Sequence, residues 1–144
     1  MNTQEKLRKF MNEKIDKQKQ AGAEFLAENA KKEGVISLEG NLQYKILKEG
    51  TGTQAKIGDT IKAHYKGALL SGQIFDSSFA RNQPFSAPIR NLIHGWQIIV
   101  PMMKEGSHWQ IWIPSDLAYG DRGAGSDIPG GATLDFEIEL LEIL

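Results

Sequence analysis

The chain has 144 residues, enough for one compact domain with a modest appendage, and its 40% apolar and 24% charged residues are the balance of an ordinary globular protein. A formal net charge of −1 advertises no basic surface for nucleic acid, and the absence of cysteine excludes disulfides and thiolate metal sites while fitting either redox compartment. The opening MNTQEKLRKF lacks the apolar core of a secretory leader and no apolar run approaches the roughly 20 residues that span a bilayer, so the expectation is a cytoplasmic protein without membrane contact, or a periplasmic one if a leader was removed.

In chain order, residues 1–34 come first and differ from the rest. They hold two of the fifteen glycines and none of the five prolines, with eight Lys/Arg and six Asp/Glu. This predicts a single helix from Thr3, as N-cap, to Lys32, closed by Gly34 and roughly 45 Å long, too long to lie flat on a small domain along its whole course. Leu7, Phe10, Met11 and Ile15 form one apolar stripe, Phe25, Leu26 and Ala30 a second, and the polar run Asp16–Gln20 separates them. The expected arrangement is a stalk: the second group docks on the main domain, and the first either pairs with another copy or covers its own domain. Residues 1–36 are therefore read as a helical extension and possible dimerisation stalk, and 37–144 as the main domain.

From Leu42 onward the period changes to two. Leu42, Tyr44 and Ile46 alternate with polar residues, as do Ile61, Ala63, Tyr65 and Gly67, then Trp109, Ile111 and Ile113, and most clearly Leu134, Phe136, Ile138 and Leu140. Strict alternation means one face buried and one wet, as in an antiparallel sheet. A single short helix is expected from Gly95 to Met103, covering the concave side. The fold class is α+β, a twisted antiparallel half-barrel wrapped on one short helix and preceded by the long N-terminal helix.

Most catalytic chemistries find no support. His64, His94 and His108 form no metal-ligand spacing, and no G-x-S-x-G occurs. The run Gly120–Gly125 is no phosphate loop, because it lacks the strand–loop–helix setting and the G-K-[ST] ending. Glu137 and Glu139 lie on the polar phase of a strand. What remains is a stock of aromatic residues attached to turns: Tyr65, Phe75, Phe79, Phe85, Trp96 and Tyr119, with Phe136 on the last strand. Each taken alone is core as readily as site, but together they suggest a deep apolar pocket.

Read as an ordered set, these segments resemble the FKBP-type peptidyl-prolyl isomerases over roughly residues 40 to 144. The motifs are His64-Tyr65-Lys66-Gly67, Gly72-Gln-Ile-Phe75-Asp76-Ser77-Ser78, Arg81, Pro84-Phe85, Leu92-Ile93-His94-Gly95-Trp96, Leu117-Ala118-Tyr119-Gly120, Ile128-Pro129 and Ala132–Leu141. Residues 1–40 are similar to the bacterial branch that carries an N-terminal helical extension, the macrophage infectivity potentiator type. The resemblance implies an isomerase that rotates X-Pro peptide bonds in unfolded or flexible chains and assists folding, needs no cofactor or metal, and accepts macrolide inhibitors. The alternative is a module that binds proline-containing segments and isomerises little. By the same resemblance Asp76, Tyr119, Tyr65 and Phe136 are the catalytic residues. Phe75, Arg81, Phe85, Leu92, Ile93, Trp96 and Ile128 bind substrate, with Trp96 as pocket floor and the Ile93 N–H and Tyr119 hydroxyl directed at peptide carbonyls. Ala87 and Ala124 stand where the family often carries bulkier groups.

Overall fold

The structure, a computed structural model, describes residues 1–144. Helix α1 runs Thr3–Asn29. Seven antiparallel strands follow: β1 (Val35–Ser37), β2 (Gln43–Lys48), β3 (Thr60–Leu69), β4 (Ile74–Ser77), β5 (Phe85–Pro88), β6 (His108–Ile113) and β7 (Leu134–Ile143). Their order across the sheet is β1-β2-β6-β7-β3-β4, and β5 also pairs with β3. One turn of helix, α2 (Ser78–Arg81), caps β4, and α3 (His94–Ile99) is the short helix on the concave side. The α+β half-wrapped sheet read from the sequence is the observed fold.

Alternation explains the sheet. On β7, Leu134, Phe136, Ile138 and Leu140 are buried while Asp135, Glu137 and Glu139 are only half-buried. The same rule buries Ile61 and Ala63 on β3 and Trp109, Ile111 and Ile113 on β6. Register shifts at Lys62/Ala63, Gly67/Ala68 and Ile46/Lys48 break the ladders locally, and such bulges increase twist and help the sheet wrap. Trp96, Ile99 and Val100 of the α3 region complete one core with the inner face. The short helix is tighter than expected: after Ile99 the chain continues as a 3₁₀ turn, Val100–Met102, because Pro101 has no N–H to extend the α ladder.

Helix α1 departs from its expected course in three ways. Asn2, and not Thr3, is the N-cap, its side-chain oxygen accepting the Glu5 N–H at 2.8 Å. The helix ends at Asn29, three residues before Lys32: the Ala30 N–H still reaches Leu26, but the two after it reach back only three residues, Lys31 to Glu28 and Lys32 to Asn29. The third departure is the docking face. It is the row Ile15, Lys19, Gly22, Leu26 and Asn29, at alternating four- and three-residue spacing, so the helix lies against the domain for half its length. Ala30 is exposed and Phe25 only half-buried.

The contacts along that row are specific. A Cβ at Gly22 would stand 2.2 Å from Thr133 Oγ1, so only glycine allows the helix this close. Lys19 pairs with Asp121 at 2.7 Å. Asn29 Nδ2 donates to Gln43 Oε1 at 2.9 Å, and Gln43 Nε2 donates to the Leu26 carbonyl at 2.8 Å, all of it buried. Helix α1 therefore covers part of the outer face of the sheet, where Gln43 and Trp112 are buried at 3% and 5% exposure. The first stripe stays open: Leu7, Phe10 and Met11 are 59%, 55% and 50% exposed. No helix is long and apolar enough to cross a membrane.

Candidate active site

Four strands, one helix and two loops bring their aromatic residues to the concave face. β3 supplies Tyr65, β4 supplies Phe75 and Asp76, β5 supplies Phe85, α3 supplies Trp96 and β7 supplies Phe136, while Asn91, Leu92, Ile93 and Tyr119 come from loops. They line a cavity of about 340 Å³. The rings pack edge to face: Phe75 on Phe136 (5.7 Å, 88°), Phe136 on Trp96 (5.4 Å, 89°), and Trp96 against Tyr65 (5.7 Å, 78°) and Phe85 (5.7 Å, 69°). Edge-to-face pairs satisfy the ring quadrupoles and hold each ring at one angle. Trp96, at 4% exposure, forms the floor, and Phe136, also at 4%, forms the buried wall.

The strand register makes room for this. Gly67 on β3 lies opposite Phe136 on β7 and Asp76 on β4. A Cβ there would stand 2.6 Å from the Phe75 ring and 2.7 Å from the Phe136 ring, so a side chain at 67 would occupy the space where the two rings meet.

One corner of the cup is polar. The Tyr65 hydroxyl donates to Asp76 Oδ2 and Arg81 Nη1 donates to Asp76 Oδ1, while the Arg81 guanidinium lies over the Tyr65 ring at 5.9 Å. Partial burial alone would push the Asp76 carboxyl up. The hydrogen bonds from Tyr65 and Arg81 and the guanidinium charge outweigh it and hold the carboxyl below its ordinary value. Burial first, and then the bond to Asp76, raises the Tyr65 hydroxyl, and burial with the Asp76 charge raises that of Tyr119. Both tyrosines therefore remain proton donors at neutral pH. Behind Tyr65, the fully buried Ser78 Oγ accepts the Tyr65 N–H at 2.6 Å, lies 3.2 Å from the Tyr65 carbonyl and 2.8 Å from His64 Nδ1. It fixes the backbone that carries Tyr65.

Two donors face the cup without a protein acceptor. The Tyr119 hydroxyl makes no hydrogen bond within the chain, and the residue is 38% exposed. The Ile93 N–H is also unused, although the Ile93 carbonyl accepts from Trp96 N at 3.0 Å and Gln97 N at 3.1 Å.

Nine of the eleven expected site residues line this one cavity: Tyr65, Phe75, Asp76, Phe85, Leu92, Ile93, Trp96, Tyr119 and Phe136. Arg81 stands behind the wall and reaches the cup through Asp76 and through Tyr65, whose hydroxyl lies 3.5 Å from Arg81 Nη2. Ile128 is displaced from its expected place. The reciprocal bonds Ala124 N to Ile128 O (2.9 Å) and Ile128 N to Ala124 O (3.1 Å) fold that loop on itself, and Ile128 joins the core and borders a groove beside α1. Sequence reading passed over three contributors, Asn91, Gly67 and Ser78. Gly67 and Ser78 both sit inside quoted motifs, and only the strand pairing reveals what they do. No group of three or more His, Asp or Glu side chains is arranged to hold a metal.

A half-wrapped antiparallel sheet with an aromatic cup over a short helix defines the class of the prolyl isomerases of FKBP type. The family model described as FKBP-type peptidyl-prolyl cis-trans isomerase matches residues 51–141, and that described as the domain amino terminal to FKBP-type peptidyl-prolyl isomerase matches residues 1–46. The chain belongs to the FKBP-type peptidyl-prolyl cis-trans isomerase family, in the branch with an N-terminal helical extension. It is 48% identical over 123 residues to the FKBP-type 22 kDa peptidyl-prolyl cis-trans isomerase of Escherichia coli, covering 85% of this chain and 60% of that one. It is 37% identical over 132 residues to the outer membrane protein MIP of Legionella longbeachae, covering 92% and 57%. The crystal structure of FkpA from Escherichia coli superposes with a TM-score of 0.90 at 33% identity, covering 94% of this chain and 63% of that one. The chain thus spans a little over half the length of these curated relatives.

Proposed function

We propose that the chain accelerates rotation about X-Pro peptide bonds in protein substrates by binding them in the aromatic cup, and so assists folding. The observation that carries this reading is the meeting of Tyr65, Phe75, Phe85, Trp96 and Phe136 around one cavity that also presents two free donors, the Tyr119 hydroxyl and the Ile93 N–H.

Rotation about a peptide C–N bond breaks its resonance and faces a barrier of roughly 18–20 kcal/mol. Resonance places negative charge on the carbonyl oxygen, and water stabilises that planar, polar form. The twisted form has lost the resonance and is less polar. Transfer from water to a ring-lined cup raises the planar form relative to the twisted one, and contacts to flanking residues offset the cost of the transfer. A thousandfold acceleration requires only about 4 kcal/mol of differential stabilisation, with no covalent step or proton transfer. In this scheme Trp96 supports the proline ring, Tyr65, Phe75 and Phe136 exclude water, Phe85 and Leu92 flank the chain, and Ile93 N–H and Tyr119 Oη hold carbonyls on either side of the rotating bond. Asp76 has two conceivable roles, direct electrostatic action on the amide or support of the wall. Both its oxygens already accept bonds from Tyr65 and Arg81, which favours support.

A macrolide inhibitor would compete for the same cup. The segment 37–144 would carry the isomerisation and 1–36 would supply a helical surface beside it. Nothing in the cup ties it to a compartment: the cytoplasmic expectation is without support among the relatives, one of which is named for the outer membrane, and a chain without cysteine suits the periplasm equally. A second reading concerns assembly. The exposure of Leu7, at 59%, favours a homodimer through the first turns of α1.

The test is cis/trans exchange of an X-Pro peptide, followed by NMR with and without a macrolide. Fast exchange that the macrolide suppresses is expected. Exchange at the spontaneous rate would leave only the binding-module alternative.

A further inference from the structure

Beside the cup lies a second and larger concavity of about 580 Å³, between α1 and the segment 121–130. Phe10, Met11 and Ile15 form its apolar side on the helix, and Ile128 and Pro129 form the facing side. We propose that this groove is a second subsite for the client chain, holding the extended stretch next to the prolyl bond when that stretch is apolar and carries acidic residues. The inference rests on the isomerase reading above and adds to it the class of client sequence that the protein prefers.

Three observations support it. The first is continuity. Tyr119 is in the cup wall and Asp121, two residues on, is in the groove wall. Two residues span at most about 7 Å, so a chain leaving the cup over Gly120 reaches the groove within a few residues. The turn between them is braced by Gly123 N to Tyr119 O (3.1 Å) and Gly131 N to Gly120 O (2.9 Å), so cup and groove share one fixed partition.

The second is charge. Lys14, Lys17 and Arg122 stand on the groove and none of them has an acidic partner, whereas its one carboxylate, Asp121, is neutralised by Lys19 at 2.7 Å. The rim is therefore basic on a chain whose net charge is −1. An apolar floor with a basic rim complements a segment of apolar and acidic residues. The same charges argue against a second copy as occupant. A two-fold dimer brings a patch against itself, and here that would set basic rim against basic rim. A dimer formed further out, around Leu7, leaves the groove free.

The third is rigidity. A Cβ at Gly131 would stand 2.7 Å from the Ile15 carbonyl oxygen, so helix and loop meet backbone to backbone beside the groove. With the Lys19–Asp121 pair beside it, this contact holds the two walls in place without a ligand.

The experiment compares three X-Pro peptides by NMR exchange on the full chain: a tetrapeptide, and two peptides of about twelve residues with the same core. One is extended at both ends by Leu, Phe and Glu, the other by Leu, Phe and Lys. The acidic peptide is expected to show kcat/KM about fivefold or more above the tetrapeptide, a gain that one or two rim charge pairs can supply, carried by KM. The lysine peptide is expected to show no gain. The double variant Lys14→Glu/Arg122→Glu, at two exposed positions, should abolish the gain and leave the tetrapeptide rate unchanged; Phe10→Ala should reduce it. Equal rates for the two long peptides, or a gain that survives the charge reversal, would overturn the proposal. So would a gain that disappears only as light scattering shows the variant passing from dimer to monomer, since the groove would then belong to a second copy. If no peptide is isomerised, the isomerase reading fails by itself. The groove is then judged by fluorescence anisotropy: acidic-peptide binding that the charge reversal removes supports it, and no such binding overturns it.

Discussion

Asp76 keeps its charge because Tyr65 and Arg81 occupy its two oxygens. Its folded value lies below the ordinary one, so its contribution to stability is fully present above about pH 3.9, the unfolded value, and is lost only as pH falls through the lower folded value. Tyr65 and Tyr119 are shifted upward and stay protonated across the neutral range. The pH profile of isomerisation is thus expected to be flat from about pH 5 to 9, and a ¹³C titration of the Asp76 carboxyl to show a midpoint under about 3.9. A midpoint above the ordinary carboxylate value would mean that burial, and not the two donors, controls the group. Tyr119→Phe removes one neutral hydrogen bond and should lower kcat/KM about three- to tenfold. Asp76→Ala frees both Tyr65 and Arg81 and should lower it roughly tenfold or more, equal to about 1.4 kcal/mol at the least. Wild-type rates in both variants would refute the roles given to these residues.

At the scale of elements, two glycines set how closely neighbours approach. Gly67→Ala would push the Phe75 and Phe136 rings apart, with a stability cost of about 1–3 kcal/mol as in other overpacked sites and a higher KM for prolyl peptides. A normal KM would show that the ring pair does not shape the cup. On α1, Asn29→Ala leaves Gln43 Oε1 buried without its donor and should cost about 1–3 kcal/mol in urea unfolding, far more than an exposed polar change on the same helix. The strands and their inward faces were legible because period two is a direct imprint of a half-buried sheet. The docking face of α1 was not, because its key members are Gly22, Lys19 and Asn29. An apolar count skips a glycine chosen for closeness, a lysine held by Asp121 and an amide spent on Gln43. Gln43 and Trp112, on the outward phase of their strands, are buried for the related reason that helix α1 covers part of the outer face of the sheet.

Across the whole molecule, the cup was readable as a set of motifs in order, since nine of the eleven named residues meet at one cavity. Ile128 was misplaced because a motif states which residues recur in order and not which way a loop folds. Local bonds to Ala124 decide that. Assembly is the other property of this scale. Light scattering over a dilution series is expected to show mass rising above the 16.0 kDa of one chain, and Leu7→Glu, at an exposed position, to hold the mass at one chain. A wild type that stays at 16.0 kDa throughout would remove the dimer.

The most direct measurement is the NMR exchange rate of one X-Pro peptide with the wild type and with Phe75→Gln, a half-buried position where an amide would admit water to the cup without emptying the core. Acceleration of at least about a thousandfold by the wild type is predicted, falling tenfold or more in the variant while the fold persists. Equal rates for the two proteins would contradict the claim that a dry aromatic cup eases the rotation.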